Sequence, residues 1–304
     1  FFWTLHEFCR DDLLSFLFAD AEDDRQQYTM VVHQVMARLR EAADLGDGGV
    51  RLDGVTVRTF RDLVDLVVAR VEDEDTRAEW AGRAVGQGTV NAFIRRLVGA
   101  IRHVEHLLRG DVANPGRHRI ALDRRVTVVD LHNLNDRAKR FVVGVVLRRA
   151  FDDKERSGQA RPLLFVVLDE LNKYAPREGS SPIKEILLDV AERGRSLGII
   201  LVGAQQTASE VERRVIANSA IRVVGRLDSA EASRDEYGFL PLLHRQRATI
   251  LKPGTMLVSQ PELPVPLVVQ FPFPSWATRP SEAGANPAAT PDGADPFAGL
   301  ELPF

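Results

Sequence analysis

The sequence has little of what would place it outside the ordinary globular class. It holds a single cysteine, Cys9, which excludes an internal disulfide and a cysteine-built zinc site and fits a reducing, cytoplasmic setting. No run approaches the roughly 18 consecutive apolar residues of a membrane helix, and no signal peptide is visible, so no membrane partner is expected. An excess of basic charge is also missing. The 40 Lys and Arg residues face 43 Asp and Glu, for a net charge of −3, so no global positive field advertises nucleic acid. Nearly all the basic residues are Arg, a usage that reflects genome composition more than function. What is present is ordinary: 304 residues, 44% apolar and 27% charged, enough for one large α/β domain or a domain with an appended subdomain.

The informative stretch runs from Pro162 to Gln206. Leu163 to Leu168 is a continuous apolar, β-branched run, which predicts a strand buried on both faces of a parallel sheet. It ends on two adjacent carboxylates, Asp169 and Glu170. In open α/β sheets ligands sit outside the carboxyl ends of strands, so the pair lies where chemistry takes place. In a nucleotide-hydrolysing site, one such acid holds the Mg²⁺ shell and the other orients or deprotonates water. The plainer alternative is that Asp169 caps the strand while Glu170 faces solvent. Ser181 and Pro182 read as N-cap and first-turn residues of a helix. Ile183, Ile186, Leu187 and Val190 follow at helical spacing, and Gly198 stops it. Ile199 to Val202 forms a second buried-strand run that closes on Gln205 and Gln206. Two neighbouring parallel strands therefore end in an acid pair and a glutamine pair.

The rest of the chain organises around this unit. Residues 1–116 read as a helical subdomain. Phe8, Leu13, Leu14, Leu17 and Phe18 cluster first, then Val31, Val35 and Leu39, then Phe60, Leu63, Val64, Val67 and Val71. Val90, Phe93, Leu97, Ile101, Val104 and Leu108 follow before the breaker Asn114-Pro115-Gly116. LGDGGVRLDGV, around Gly46 to Gly54, reads as a loop. His103 and His106 sit three apart on a helix, but no third ligand stands nearby, so a solvated face is preferred to zinc. Val126 to Val129 predicts a strand ending at Asp130, which is assigned a turn role rather than a place in the site, and Ala138 to Asp152 a helix behind it. A short helix is expected at Ser209–Ala217 and a strand at Ile221–Val224, whose Arg222 and Arg226 share a face as interface, phosphate or ion-paired edge residues. Ala248–Ser259 and Pro264–Phe271 suggest an edge hairpin. Residues 276–304 are Ala-, Pro- and Gly-rich and are expected to be a disordered tail.

LLFVVLDELNKYAP followed by ERGRSLGIILVGAQQTASEV resembles the Walker B and sensor region of HerA-like ATPases, members of the HerA/FtsK group of hexameric DNA-translocating motors. VTVVDLHNLNDRAKRFVVGVVLRRAF, IANSAIRVVGRLDSAEAS and LKPGTMLVSQPELPVPLVVQFPFP resemble the neighbouring elements of that family. The resemblance covers roughly residues 85 to 275, with its specific motifs in 126–227. It implies an α/β, RecA-like P-loop NTPase core in residues 117–275, a mostly parallel sheet flanked by helices, with the N-terminal helical subdomain as an insertion and a C-terminal β-hairpin. It further implies ATP and Mg²⁺ as cofactors, Asp169 as the acid of the Mg²⁺ shell, Glu170 as the catalytic glutamate and Gln205 as the sensor of the γ-phosphate. Arg195 resembles the arginine that reaches a nucleotide across a subunit boundary. The implied partners are further copies of the chain in a homo-hexamer, duplex DNA, and a nuclease or other effector. A ring could line its channel with a few basic loops while its exterior stays acidic. The sequence departs from the pattern at Asn172, where many relatives carry His, and at Gln206-Thr207, where Arg-Pro is usual.

One part of such a site is missing. A P-loop needs G-x-x-x-x-G-K-[ST], whose backbone N–H groups and Lys neutralise the phosphates, and no Gly-Lys pair occurs in the sequence. In the family that loop precedes the helical insertion. The opening FFWTLHEF has no initiator Met and reads as a cut through an amphipathic helix, so truncation of a longer motor subunit is the favoured expectation, the fragment alone being inactive. The alternatives are a non-catalytic ring scaffold for a nuclease or effector, and a related secretion or conjugation ATPase.

Overall fold

The computed structural model describes residues 1–18, 28–112 and 118–272. The expected tail, the acidic run at Ala19–Asp24 and the breaker at Asn114-Pro115-Gly116 lie outside them. The chain divides into two compact units, Phe1–Ser219 and Ala220–Phe304.

The first unit opens with β1 (Trp3–Thr4) and α1 (Leu5–Arg10). Thr4 and Glu7 form a capping box: the Glu7 N–H donates to Thr4 Oγ1 at 3.0 Å, and the Thr4 N–H donates to Glu7 Oε2 at 2.9 Å. Two orphan donors of the helix end are thereby satisfied. A 3₁₀ turn, Leu13–Phe18, precedes α2 (Thr29–Leu39). Next come β2 (Ala43–Asp44), β3 (Val50–Leu52) and β4 (Val55–Val57), an antiparallel three-stranded sheet. This corrects the loop expected around Gly46 to Gly54. Val50 and Leu52 are buried on either side of exposed Arg51. Asp53 and Gly54, at φ of 51° and 77°, supply the two left-handed residues of a tight hairpin turn, the usual work of an Asp-Gly pair.

The helices α3 (Phe60–Glu72), α4 (Glu74–Trp80) and α5 (Gln87–Val104) follow, and β5 (Leu108–Arg109) pairs in parallel with β1. The stripes read from the sequence are the buried ones, Phe60, Leu63, Val64, Val67 and Val71 on α3 and Val90, Phe93, Leu97, Ile101 and Val104 on α5. Cys9 lies in this core, and burial pushes its thiol up to about 12, which leaves it inert.

The long helix α6 (Asp136–Ser157) is capped by the Asn135 carboxamide, which accepts the Ala138 N–H at 3.0 Å. The strand expected at Val126 to Val129 is not formed. Val126 and Val128 are 77% and 85% exposed, and no described strand pairs with them, so their backbone groups gain nothing from an extended ladder. Then comes the central unit, β6 (Leu164–Leu168), α7 (Pro182–Leu197) and β7 (Ile199–Gly203). The two strands are parallel and in register from Leu164 opposite Ile199 to Leu168 opposite Gly203. Ser181 accepts the Lys184 N–H, Pro182 opens α7, and Gly198 ends it at φ 72°, all as the sequence predicts. Gly198 is also constrained by space, since a Cβ there would lie 1.7 Å from the Ala160 carbonyl oxygen.

Burial of β6 on both faces is corrected. Val166, Leu168, Ile199 and Leu201 pack into the core, but Phe165, Val167 and Val202 are 59%, 71% and 45% exposed. Alternate side chains of a strand point to opposite faces, and among the described residues helices cover one face alone. The unit ends with a 3₁₀ turn Ala208–Glu210 and α8 (Arg213–Ala217), two short pieces where one helix was expected from Ser209.

The second unit holds β8 (Arg222–Val224), α9 (Ser229–Ala232), α10 (Leu242–Ala248), β9 (Thr255–Ser259) and β10 (Leu267–Gln270). Its antiparallel sheet runs β8-β9-β10, so the C-terminal hairpin is present. The first strand of that hairpin begins at Thr255 rather than Ala248, because α10 extends to Ala248 and a turn at Gly254, φ 79°, intervenes. β8 stops at Val224, so Arg226 lies beyond it and does not share a strand face with Arg222. Arg222 stacks over Phe239 at 4.7 Å.

Candidate functional site

Asp169 and Glu170 leave the end of β6, and Ala204 and Gln205 leave the end of β7. The parallel pairing continues one step past the strands: the Ala204 N–H donates to the Leu168 carbonyl at 2.9 Å, and the Leu171 N–H to the Ala204 carbonyl at 3.0 Å. The acid pair and the glutamine are thus brought to adjoining tips by backbone bonds. Asp169, Glu170 and Gln205 are all exposed, so none of the described residues packs over them.

Each of the three is held differently. Asp169 Oδ1 accepts the Glu170 N–H at 2.9 Å, which fixes its carboxylate against the turn. Glu170 adopts a left-handed backbone, φ 52° and ψ 50°, and begins a 3₁₀ turn, Leu171–Lys173. A non-glycine residue in that conformation stores of order 1–3 kcal/mol and is over-represented at functional sites. Its carboxylate pairs with Lys173 Nζ at 2.7 Å, and the hydrogen bond to Glu170 raises the Lys173 pKa above its ordinary value. Lys173 is a neighbour that the sequence reading did not single out; its spacing of three from Glu170 is the signal that would have marked it. Gly203, the last residue of β7, must be small: a Cβ there would stand 2.4 Å from Leu171 Cδ2. The turn carrying Glu170 therefore seats directly on the end of β7.

Arg195 is not brought to this site. It sits in the last turn of α7, exposed, beside the start of β7, whereas Gln205 follows the end of β7. The five residues of β7, at roughly 3.3 Å each, separate the two ends by about 16 Å. Within one chain Arg195 cannot act at the acid pair.

Other candidates resolve locally. Asp130 accepts hydrogen bonds from the His132 backbone N–H and ring Nδ1, both at 3.0 Å, and the backbone bond leads in lowering its pKa; the carboxylate closes its own turn. His103 Nε2 accepts from Arg102 Nε at 3.1 Å. Asn172 Nδ2 donates to Glu210 Oε2 at 2.9 Å, a bond between the segments that leave β6 and β7. Among the described residues no cluster of three His, Cys, Asp or Glu side chains could ligate a metal.

A further buried cluster was not read from the sequence, although Thr4-x-x-Glu7 is a recognisable capping signature. Glu7 accepts from His118 Nε2 and from Arg119 Nε, each at 2.7 Å. Burial works to raise its pKa, but the Thr4 N–H and the His118 and Arg119 side chains outweigh it and hold the carboxyl below its ordinary value.

No protein-family model matches the chain, and no curated protein sequence matches it. Solved structures do. The chain is similar to a bacterial conjugative coupling protein, TrwB, at 13% identity and a TM-score of 0.59, covering 92% of this chain and 72% of that one. TrwB in complex with ADP and Mg²⁺ gives a TM-score of 0.61 at 13% identity, covering 92% and 73%. VirB4 of Thermoanaerobacter pseudethanolicus gives 0.55 at 16% identity, covering 90% and 68%. At such identities the likeness establishes architecture: the chain has the α/β fold of the RecA-like P-loop ATPases, a parallel sheet with flanking helices.

Proposed function

We propose that this chain is the water-activating part of an ATP-hydrolysing motor subunit of the HerA-like type, which works in the cytoplasm as a homo-hexameric ring and moves duplex DNA. The observation that carries the reading is the exposed convergence of Asp169, Glu170 and Gln205 on two hydrogen-bonded parallel strand tips. Glu170 is the general base or water-orienting group, and Gln205 donates its carboxamide to a phosphoryl oxygen. Its side chain makes no hydrogen bond with the described residues, which leaves it available for that task. Asp169 would hold Mg²⁺ through its water shell, since that ion takes one or two carboxylates and keeps several waters. These donors fit the metal and water end of Mg-ATP. With no Gly-Lys pair in the sequence, the phosphate cradle is contributed from outside these residues. ATP with Mg²⁺ supplies the phosphoryl electrophile when bound. Arg195, being remote from its own acid pair, stabilises developing charge on a neighbouring subunit's nucleotide. The partners of such a motor are nucleic acid, further copies of itself and a nuclease or effector; among the described residues no helix is long and apolar enough to cross a membrane.

A conjugation- or secretion-type ATPase is the second reading. It is favoured by the likeness to a conjugative coupling protein over 92% of the chain, helical part included. An ATPase assay of the complete protein with no DNA, linear duplex or single strands separates the two. Stimulation by duplex supports the first, preferential stimulation by single strands supports the second, and absence of hydrolysis in every arm overturns both.

A further inference from the structure

Lys184 breaks a local rule. It is the third residue of α7, in the first turn, where the helix dipole disfavours a cation. It is also buried, its side chain 9% exposed, although an ammonium is costly to take out of water unless every donor is matched. All three of its donors are matched: Nζ donates to the Gly179 carbonyl at 2.8 Å, the Arg177 carbonyl at 3.2 Å and Glu212 Oε2 at 2.6 Å. Burial works to raise the Glu212 pKa, but Lys184 and the Arg214 N–H outweigh it and hold the carboxyl low.

The acceptors identify what is being held. Arg177 and Gly179 belong to the segment that leaves β6 through Asp169 and Glu170. Glu212 belongs to the segment that leaves β7 through Gln205. Between the strand tips and Lys184 the same two segments are joined again and again. Leu171 N–H donates to Ala204 O, Arg177 N–H to Glu210 O at 2.8 Å, and Glu212 N–H to Ala175 O at 2.9 Å. Asn172 bonds to Glu210, and Arg177 Nη1 donates to the Ser209 carbonyl at 3.1 Å. The two tip segments thus form one laced body, and Lys184 closes it at the end remote from the acids. A burial-only role would be met by any apolar side chain; the three matched acceptors, drawn from both segments, are what an apolar residue cannot supply.

We propose that the Lys184–Glu212 pair is a positioning clasp that fixes the Asp169–Glu170 turn relative to Gln205. The proposal rests on the reading of those three residues as a hydrolytic site. Lys184 touches no reacting atom and acts through the two segments it ties.

The test uses the complete protein with Lys184→Met, Glu212→Leu, the double variant and Lys184→Arg. Either single apolar change leaves one charge of the pair without its partner and lowers Tm, whereas the double change removes both charges and recovers part of that loss, the Arg177 and Gly179 carbonyls and the Arg214 N–H staying unmatched. The clasp predicts that the double variant, though more stable than either single one, exchanges the amide hydrogens of Leu171 and Arg177 about tenfold faster or more. It also predicts a kcat at least about tenfold lower with the KM for ATP unchanged, the mark of geometry lost without binding. Lys184→Arg keeps the charge but not the three-way fit, and shows the same faster exchange and lower kcat while remaining folded. Wild-type exchange and kcat in whichever of these two variants is stably folded overturns the proposal. If Glu170→Gln hydrolyses as well as wild type, the ATPase reading has failed on its own account, and the exchange measurement still decides whether Lys184 sets the segments.

Discussion

Replacing Glu170 by Gln separates the chemistry of the site from its architecture. The side chain keeps its length and the backbone keeps its left-handed conformation, so the strain at φ 52° is unchanged. What is lost is the charge and with it the ion pair to Lys173, whose partners are 55% and 42% exposed. A pair so accessible contributes roughly 0–1 kcal/mol, so Tm moves by no more than about 4 °C. Turnover behaves otherwise. Removing a general base lowers it by about 10²–10⁴, or roughly 2.7–5.5 kcal/mol at 1.36 kcal/mol per decade. Phosphate release and nucleotide binding measured side by side in the complete protein check this, with binding retained and release abolished. Release within about threefold of wild type, by a protein that binds ATP normally, refutes the assignment. A companion pair tests the strain. Relief of the left-handed penalty, about 1–2 kcal/mol, outweighs the extra unfolded-state entropy of glycine, about 0.4–1 kcal/mol. Glu170→Gly is therefore more stable than Glu170→Ala by roughly 0.5–1 kcal/mol, both lacking activity, and the reverse order would show that the turn is not strained.

Three further outcomes follow from the same structure. Arg195→Ala leaves Tm within about 2 °C, because the residue is exposed, but lowers ATP turnover in a way that mixing with wild-type subunits partly rescues; no rescue at any mixing ratio removes the role in trans. Gly198→Ala places a methyl group 1.7 Å from the Ala160 oxygen at a φ of 72°, costing at least about 2 kcal/mol, read as a fall of roughly 4–10 °C in Tm. Glu7→Gln costs about 1.5–3 kcal/mol at neutral pH through its bonds to Thr4, His118 and Arg119. The folded pKa of Glu7 lies below its ordinary 4.5, so this contribution is complete above that value and is lost as pH falls through the folded one. The Tm gap between wild type and variant therefore closes below about pH 4.5 and not above it; a gap constant down to pH 3 contradicts the assignment.

Much of this architecture could be read before any coordinates, because it is written in short-range signals. The buried stripes of α3 and α5, the Ser181-Pro182 start and Gly198 stop of α7, and the two strands ending in Asp169-Glu170 and Gln205 all depend on neighbours within a few residues. The errors share a cause. The loop assigned around Gly46 to Gly54 gave weight to glycine content over the Val50-x-Leu52 alternation and the Asp53-Gly54 turn. The strand assigned to Val126–Val129 and the two-sided burial assigned to β6 followed from apolar runs, which report a wish to be covered but not whether a neighbour covers them.

The sequence by itself determined which segments are helix and strand in the central unit, and that two acids and a glutamine end its strands. Local periodicity, capping and backbone sterics act within the chain's own neighbourhood, and they suffice for that. Only the tertiary structure decided that Lys184 ties the two tip segments through Glu212 and that Asn172 reaches Glu210. Those facts depend on which distant stretches of chain are packed together, and hydrogen bonds and ion pairs across tens of residues leave no periodic mark in the sequence they join.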